Sequence, residues 1–115
     1  MAFKKFKVVN YEIRLGYKMS ASFNGVDIEA QGLLTCHSVD GYRFVIYGLH
    51  PLSDVPEPVY NETSKVGTIF IPFKDLSVYI DLVRNEKPIY ASLDSENPAW
   101  NTLNTGKEPT GEEEG

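Results

Sequence analysis

At 115 residues the chain fits one domain with a modest core, and no apolar run approaches the roughly 18 residues of a membrane span. Apolar content of 42% is ordinary for a globular protein, while seven Tyr and six Phe make the chain aromatic-rich. The net charge of −5 is unevenly placed: Lys4, Lys5, Lys7, Arg14 and Lys18 face only Glu12 in the first 18 residues, and Glu108, Glu112, Glu113 and Glu114 crowd the end. The lone Cys36 excludes an internal disulfide and suits a reducing compartment. No apolar segment follows the basic start, Met1 to Lys5, so the expectation is a cytoplasmic protein with no membrane contact.

From Val9 to Phe23 the odd positions are apolar or small and the even ones polar, apart from Gly16. Asn24-Gly25 then supplies a two-residue hairpin turn, both of whose positions need positive φ. With that turn, paired residue numbers sum to 49. Phe23 meets Val26, Ala21 meets Ile28, Met19 meets Ala30, Leu15 meets Leu34 and Ile13 meets Cys36, all apolar and on one face. The expectation is a long bent hairpin over residues 7–37. Gly16 and Gly32 set the bend, and a bulge falls at Val8-Val9.

A third strand runs from Tyr42 to Leu49. A two-residue turn at Asp40-Gly41 would put Phe44 and Ile46 on the polar face. A three-residue loop ending at a left-handed Gly41 instead pairs Cys36 with Phe44 and Leu34 with Ile46, and is preferred. Residues 50–64, with Pro51, Pro56 and Pro58, read as a connection, and the sequon Asn61-Glu62-Thr63 falls inside it. A strand from Lys65 to Ile71 follows. Leu76, Tyr79, Ile80 and Val83 then recur at helical spacing, with Arg84 and Lys87 at the helix end and Pro88 as its stop. Ile89 to Leu93 reads as a short strand or arm that Trp100 pins to the body, and residues 104–115 as a disordered acidic tail. The fold class is therefore α+β: a curved antiparallel sheet of four to five strands with one main helix after them, in a single domain over residues 1–103.

This order of elements resembles the PC4-like fold of single-stranded-DNA-binding coactivators. The stretch Phe73-Lys-Asp-Leu-Ser-Val-Tyr-Ile-Asp-Leu-Val-Arg-Asn-Glu-Lys-Pro-Ile-Tyr-Ala-Ser-Leu-Asp94, with Asn97-Pro-Ala-Trp100 after it, is similar to small cyanobacterial PC4-like proteins of unknown function. The resemblance spans residues 3–103 and implies a homodimer built in part by the helix, whose inner stripe of Leu76, Ile80 and Val83 should cover the sheet while Val78, Tyr79 and Leu82 widen the apolar arc toward a second subunit. It brings no catalytic or metal motif, and the acidic balance departs from the DNA-binding coactivators.

Candidate nucleic-acid contacts are Lys4, Lys5, Lys7, Arg14 and Lys18 for phosphates, with Tyr47 and His37 as candidates for base stacking and Arg43 beside them. The plainer reading of the same lysines is protection of a strand edge. Cys36 and His37 are adjacent on a strand and point to opposite faces, so they cannot share an ion. No catalytic order of residues, phosphate loop, cofactor motif or small-molecule site is apparent. Two functions follow as expectations: a non-enzymatic, dimeric module binding single-stranded nucleic acid, or a protein-interaction module using Leu33, Val45 and Tyr47.

Overall fold

A computed structural model describes residues 2–106. The alternating segment forms β2 (Asn10–Phe23), which returns through Asn24-Gly25 as β3 (Val26–His37). The two turn residues have φ of 51° and 82°, the mirror-image turn that matches strand twist. Near the tip Phe23 faces Val26, Ala21 faces Ile28 and Met19 faces Ala30, as the arithmetic requires.

Past Met19 the register shifts by two. Leu15 faces Gly32, Ile13 faces Leu34 and Tyr11 faces Cys36, in place of the expected Leu15–Leu34 and Ile13–Cys36 pairs. The extra residues of β2 are taken up between Leu15 and Met19, where a Cβ on Gly16 would come within 3.0 Å of the Met19 side chain. A slip of two keeps odd residues opposite even ones, so the alternation survives and pair sums alone cannot detect it.

The turn Val39-Asp40-Gly41 has Gly41 at φ 94° and leads into β4 (Arg43–Leu49). Cys36 pairs with Phe44 and Leu34 with Ile46, as expected of the three-residue loop. A second irregularity lies between Ala30 and Gly32, which pair with the consecutive residues Leu49 and Gly48. One extra residue in β3 inverts its faces relative to β4. The apolar tip of the hairpin therefore packs with Leu49, Tyr47 and Phe70, while Leu34 and Cys36 pack with Phe44 and Ile46.

The connection at 50–64 contains a short strand that its prolines conceal, β5 (Val59–Asn61), antiparallel to β6 (Val66–Pro72). β6 runs parallel to β4. A 3-10 turn, Phe73–Asp75, opens α1 (Leu76–Asn85). β7 (Tyr90–Asp94) and β8 (Thr102–Asn104) follow, joined by a 3-10 turn at Pro98–Trp100.

The strands make two open sheets, a correction to the single sheet expected. The larger has the order β2-β3-β4-β6-β5; the smaller is β1 (Phe3–Lys7), β7 and β8, all antiparallel. The hairpin begins at Asn10 because the chain changes sheets at the step read as a bulge. Val8 donates its N–H to Ile89 O at 2.8 Å, and Val9 donates to His37 O at 2.8 Å.

Leu34, Cys36, Phe44 and Ile46 of the large sheet, Phe6, Ala91 and Leu93 of the small one, and Leu76 and Val83 of α1 form the main core. Among the described residues no helix is long and apolar enough to cross a membrane. The tail from residue 107 lies outside the described residues, whereas residues 102–104, assigned in part to that tail, form β8.

Candidate nucleic-acid interface

Alternation decides which side chains of β1 are available. Phe6 is buried and sits opposite the buried Ala91, so Phe3, Lys5 and Lys7 point to the opposite, outer side. Their partners there are Asp94, Ser92 and Tyr90, with Thr102 and Asn104 continuing the face across β8. Phe3 is 64% exposed, Lys5 Nζ lies 4.8 Å from the centroid of Tyr90, and Asn104 Nδ2 donates to Ser92 Oγ at 3.3 Å. From Phe3 to Lys7 the strand spans about 13 Å, room for two or three unstacked nucleotides. Phe3, Lys5, Lys7 and Tyr90 thus place two rings and two cations on one outer face.

The remaining cations named from the sequence lie elsewhere. Lys4 faces the other side of β1, 4.7 Å over the Tyr42 ring and 4.0 Å from Asp40 Oδ2, and Lys65 sits 5.1 Å over the same ring. The Ser38 hydroxyl donates to Asp40 Oδ1 at 2.7 Å and, with smaller help from Lys4 and Lys65, holds that carboxyl below its ordinary value. Arg14 is on β2 opposite Leu33, and Lys18 lies in the β2 bulge, 5.7 Å over Tyr17. Arg43 opens β4 opposite His37. The seven residues therefore do not form one track; of the seven, only Lys5 and Lys7 share this face.

Tyr47 is engaged in packing. Its ring stacks on Phe70 with centroids 5.5 Å apart and meets Phe23 edge-on at 5.1 Å, and burial raises its phenol pKa. Val45, offered with Leu33 and Tyr47 for a protein partner, is only 8% exposed. On α1, Leu76 and Val83 are buried and Ile80 packs against the same core, as expected of the stripe that covers the sheet; of the residues expected to widen it toward a partner, Tyr79 and Leu82 also pack against that core and Val78 is exposed. Trp100, expected to pin the C-terminal arm, is 67% exposed. Asn101 pins it instead: its Nδ2 donates to Val59 O at 3.0 Å and its Oδ1 accepts from Asp94 N–H at 2.9 Å.

Cys36 is fully buried and burial pushes its thiol up to about 12, so it is a core residue without nucleophilic character at neutral pH. His37 Nε2 lies 3.0 Å from Glu12 Oε1, and His50 Nδ1 accepts from Leu52 N–H at 3.1 Å. Among the described residues no three His, Cys, Asp or Glu side chains group to hold a metal ion. An apolar recess of about 300 Å³ is lined by Leu49, Pro51, Val55, Phe70 and Phe73, with His50 and Lys74 among its polar lining.

Comparison of the chain with protein-family models, with curated proteins and with solved structures returns no match. Phe3 and Tyr90 are the members of the outer face that sequence reading missed. The alternation Phe3-Lys5-Lys7 was a visible signal for the first, whereas Tyr90 needed the pairing of β1 with a strand more than 80 residues away.

Proposed function

We propose that the protein is a non-enzymatic, homodimeric, cytoplasmic module that binds single-stranded nucleic acid on the outer face of its small sheet. The observation that carries this reading is the grouping of exposed Phe3 with Lys5, Lys7 and Tyr90 on one face. A base has a π-face whatever its identity, so each stacked ring contributes about 1–3 kcal/mol without reading sequence. The two lysines neutralise phosphates and release counterions, giving a salt slope near −1.4 for two single-strand contacts. The net charge of −5 works against long-range attraction, which makes this a weak, salt-sensitive binder. The resemblance to PC4-like single-stranded-DNA binders points the same way.

Fluorescence anisotropy with labelled oligo(dT) and oligo(U) at low salt tests it. Lys5→Glu with Lys7→Glu should abolish binding, and Phe3→Ala should weaken it by roughly fivefold or more. Absence of binding by the unaltered protein at low salt would overturn the proposal.

A further inference from the structure

Among the described residues β2 ends the large sheet and pairs on one side only, with β3. Its outer edge is a row of free backbone donors and acceptors, the kind of edge that proteins ordinarily cover or interrupt. No proline falls within it, and its first half is apolar on one face: Tyr11 is 37% exposed, Ile13 39% and Leu15 66%, with the exposed Val9 just before the strand. Tyr11, Ile13 and Leu15 face the α1 side of the sheet, since they lie opposite the buried Cys36 and Leu34 and opposite Gly32, whose own face meets Leu76. The stripe is thus an extension of the main core that the chain leaves uncovered.

We infer that a second copy of the chain covers it, by antiparallel pairing of β2 with the partner's β2 about a two-fold axis at Ile13. This rests on the dimeric part of the function proposed above and names its interface. The register follows from charge. Directly opposed residues share a face, so the pair sum must be even to keep apolar residues together. A sum of 26 places Tyr11 opposite the partner's Leu15 and Ile13 opposite itself. On the other face it sets Glu12 against the partner's Arg14, and Arg14 against the partner's Glu12. Moving the axis to Glu12 or to Arg14 would instead oppose two like charges at its centre, which destabilises a sheet. An axis at Leu15 would set Ile13 and Tyr11 against the partner's Tyr17 and Met19, in and beyond the β2 bulge, whereas the axis at Ile13 keeps the pairs from Tyr11 to Leu15 within regular strand.

The groove beside the strand agrees with this register. An open groove of about 810 Å³ is walled by Val9, Tyr11, Val83, Pro88 and Ile89, and pairing sets the partner's Leu15 beside its rim at Tyr11. The two five-stranded sheets would join as one ten-stranded sheet with both helices on the same side. A two-fold operator closes the assembly at two chains.

Sedimentation equilibrium of the full chain should give twice the 12.9 kDa chain mass. Ile13→Lys should give a monomer with unchanged far-UV circular dichroism. Arg14→Glu alone and Glu12→Arg alone should each weaken the dimer about tenfold, because each opposes like charges twice, and the double swap should restore it. Ile13→Cys, at the axis, should oxidise to a covalent dimer. A monomeric unaltered protein would overturn both the dimer and the interface. A dimer indifferent to Ile13→Lys, with no restoration by the double swap, would overturn the interface alone.

Discussion

Gly67 offers a direct test of how the two sheets are held together. It lies on β6 between Phe44 of β4 and Tyr60 of β5, and the face it presents meets Leu93 of β7, in the other sheet. A Cβ at Gly67 would stand 3.1 Å from both Leu93 Cγ and Cδ1, with Cδ2 closer still, and Leu93 is completely buried. The main chain of one sheet therefore rests on a side chain of the other with no space for a methyl group. Overpacking of this kind costs about 1–3 kcal/mol, offset by several tenths because alanine restricts the unfolded chain. Gly67→Ala should lose about 1–2 kcal/mol, lowering Tm by roughly 5–10 °C. Leu93→Ala alone should lose about 2–5 kcal/mol through its cavity. In the double variant the new methyl enters the space that Leu93 vacates, so the combined loss should fall short of the sum by about 1 kcal/mol. Urea unfolding followed by far-UV circular dichroism measures all three. A Gly67→Ala variant within 0.5 kcal/mol of the unaltered protein, or strict additivity, would refute the contact.

Four further outcomes are expected. Asn101→Leu should cost about 2–4 kcal/mol in the same assay, because it leaves Val59 C=O and Asp94 N–H without their partner. Cys36 should resist iodoacetamide at pH near 8 in the folded protein and react at once in denaturant, since burial holds its thiol near 12. Asp40 has a lowered folded pKa, so its contribution to stability is complete above the unfolded value of 3.8 and is lost as pH falls through the lowered one. Ser38→Ala, removing the first cause of that shift, should therefore shrink the acid limb of a stability–pH curve. Deleting residues 107–115, which hold four Glu and one Lys, should raise affinity for oligonucleotides in the anisotropy titration.

Local chemistry was the legible part of the fold. Asn24-Gly25 and Gly41 fixed two turns because positive φ restricts the residues that can occupy them, and the pairs Cys36–Phe44 and Leu34–Ile46 followed from the second. The shift between Leu15 and Met19 was hidden, since a slip of two leaves the alternation of β2 unchanged. The one-residue bulge before Gly32 was hidden for another reason: it inverts a face, and only contact with Tyr47 and Phe70 reveals which side the hairpin tip covers. β5 was masked by the prolines around it, and the parallel pairing of β6 with β4 by the absence of a helix between them. Of the candidate site, Lys5 and Lys7 were found from charge. Arg14, Lys18, Arg43 and Tyr47 were grouped with them by residue type, which carries no information about the face of a sheet on which a side chain lies.

The change of sheets at Val8-Val9 governs the order in which the molecule can be assembled. The hairpin β2–β3 closes over a two-residue turn and can form as soon as it leaves the ribosome, whereas β1, which precedes it in sequence, pairs with β7 at residues 90–94. Closing a loop of that length costs little more than closing one half as long, but β1 must wait for nearly the whole chain to be made. During that interval Phe6 has no partner strand, and Leu34, Cys36, Phe44 and Ile46 lack the cover that Ala91 and Leu93 later provide. β1 is thus a latch that can close only once β7 exists, and a nascent chain stopped before residue 90 retains a ribbon without its lid.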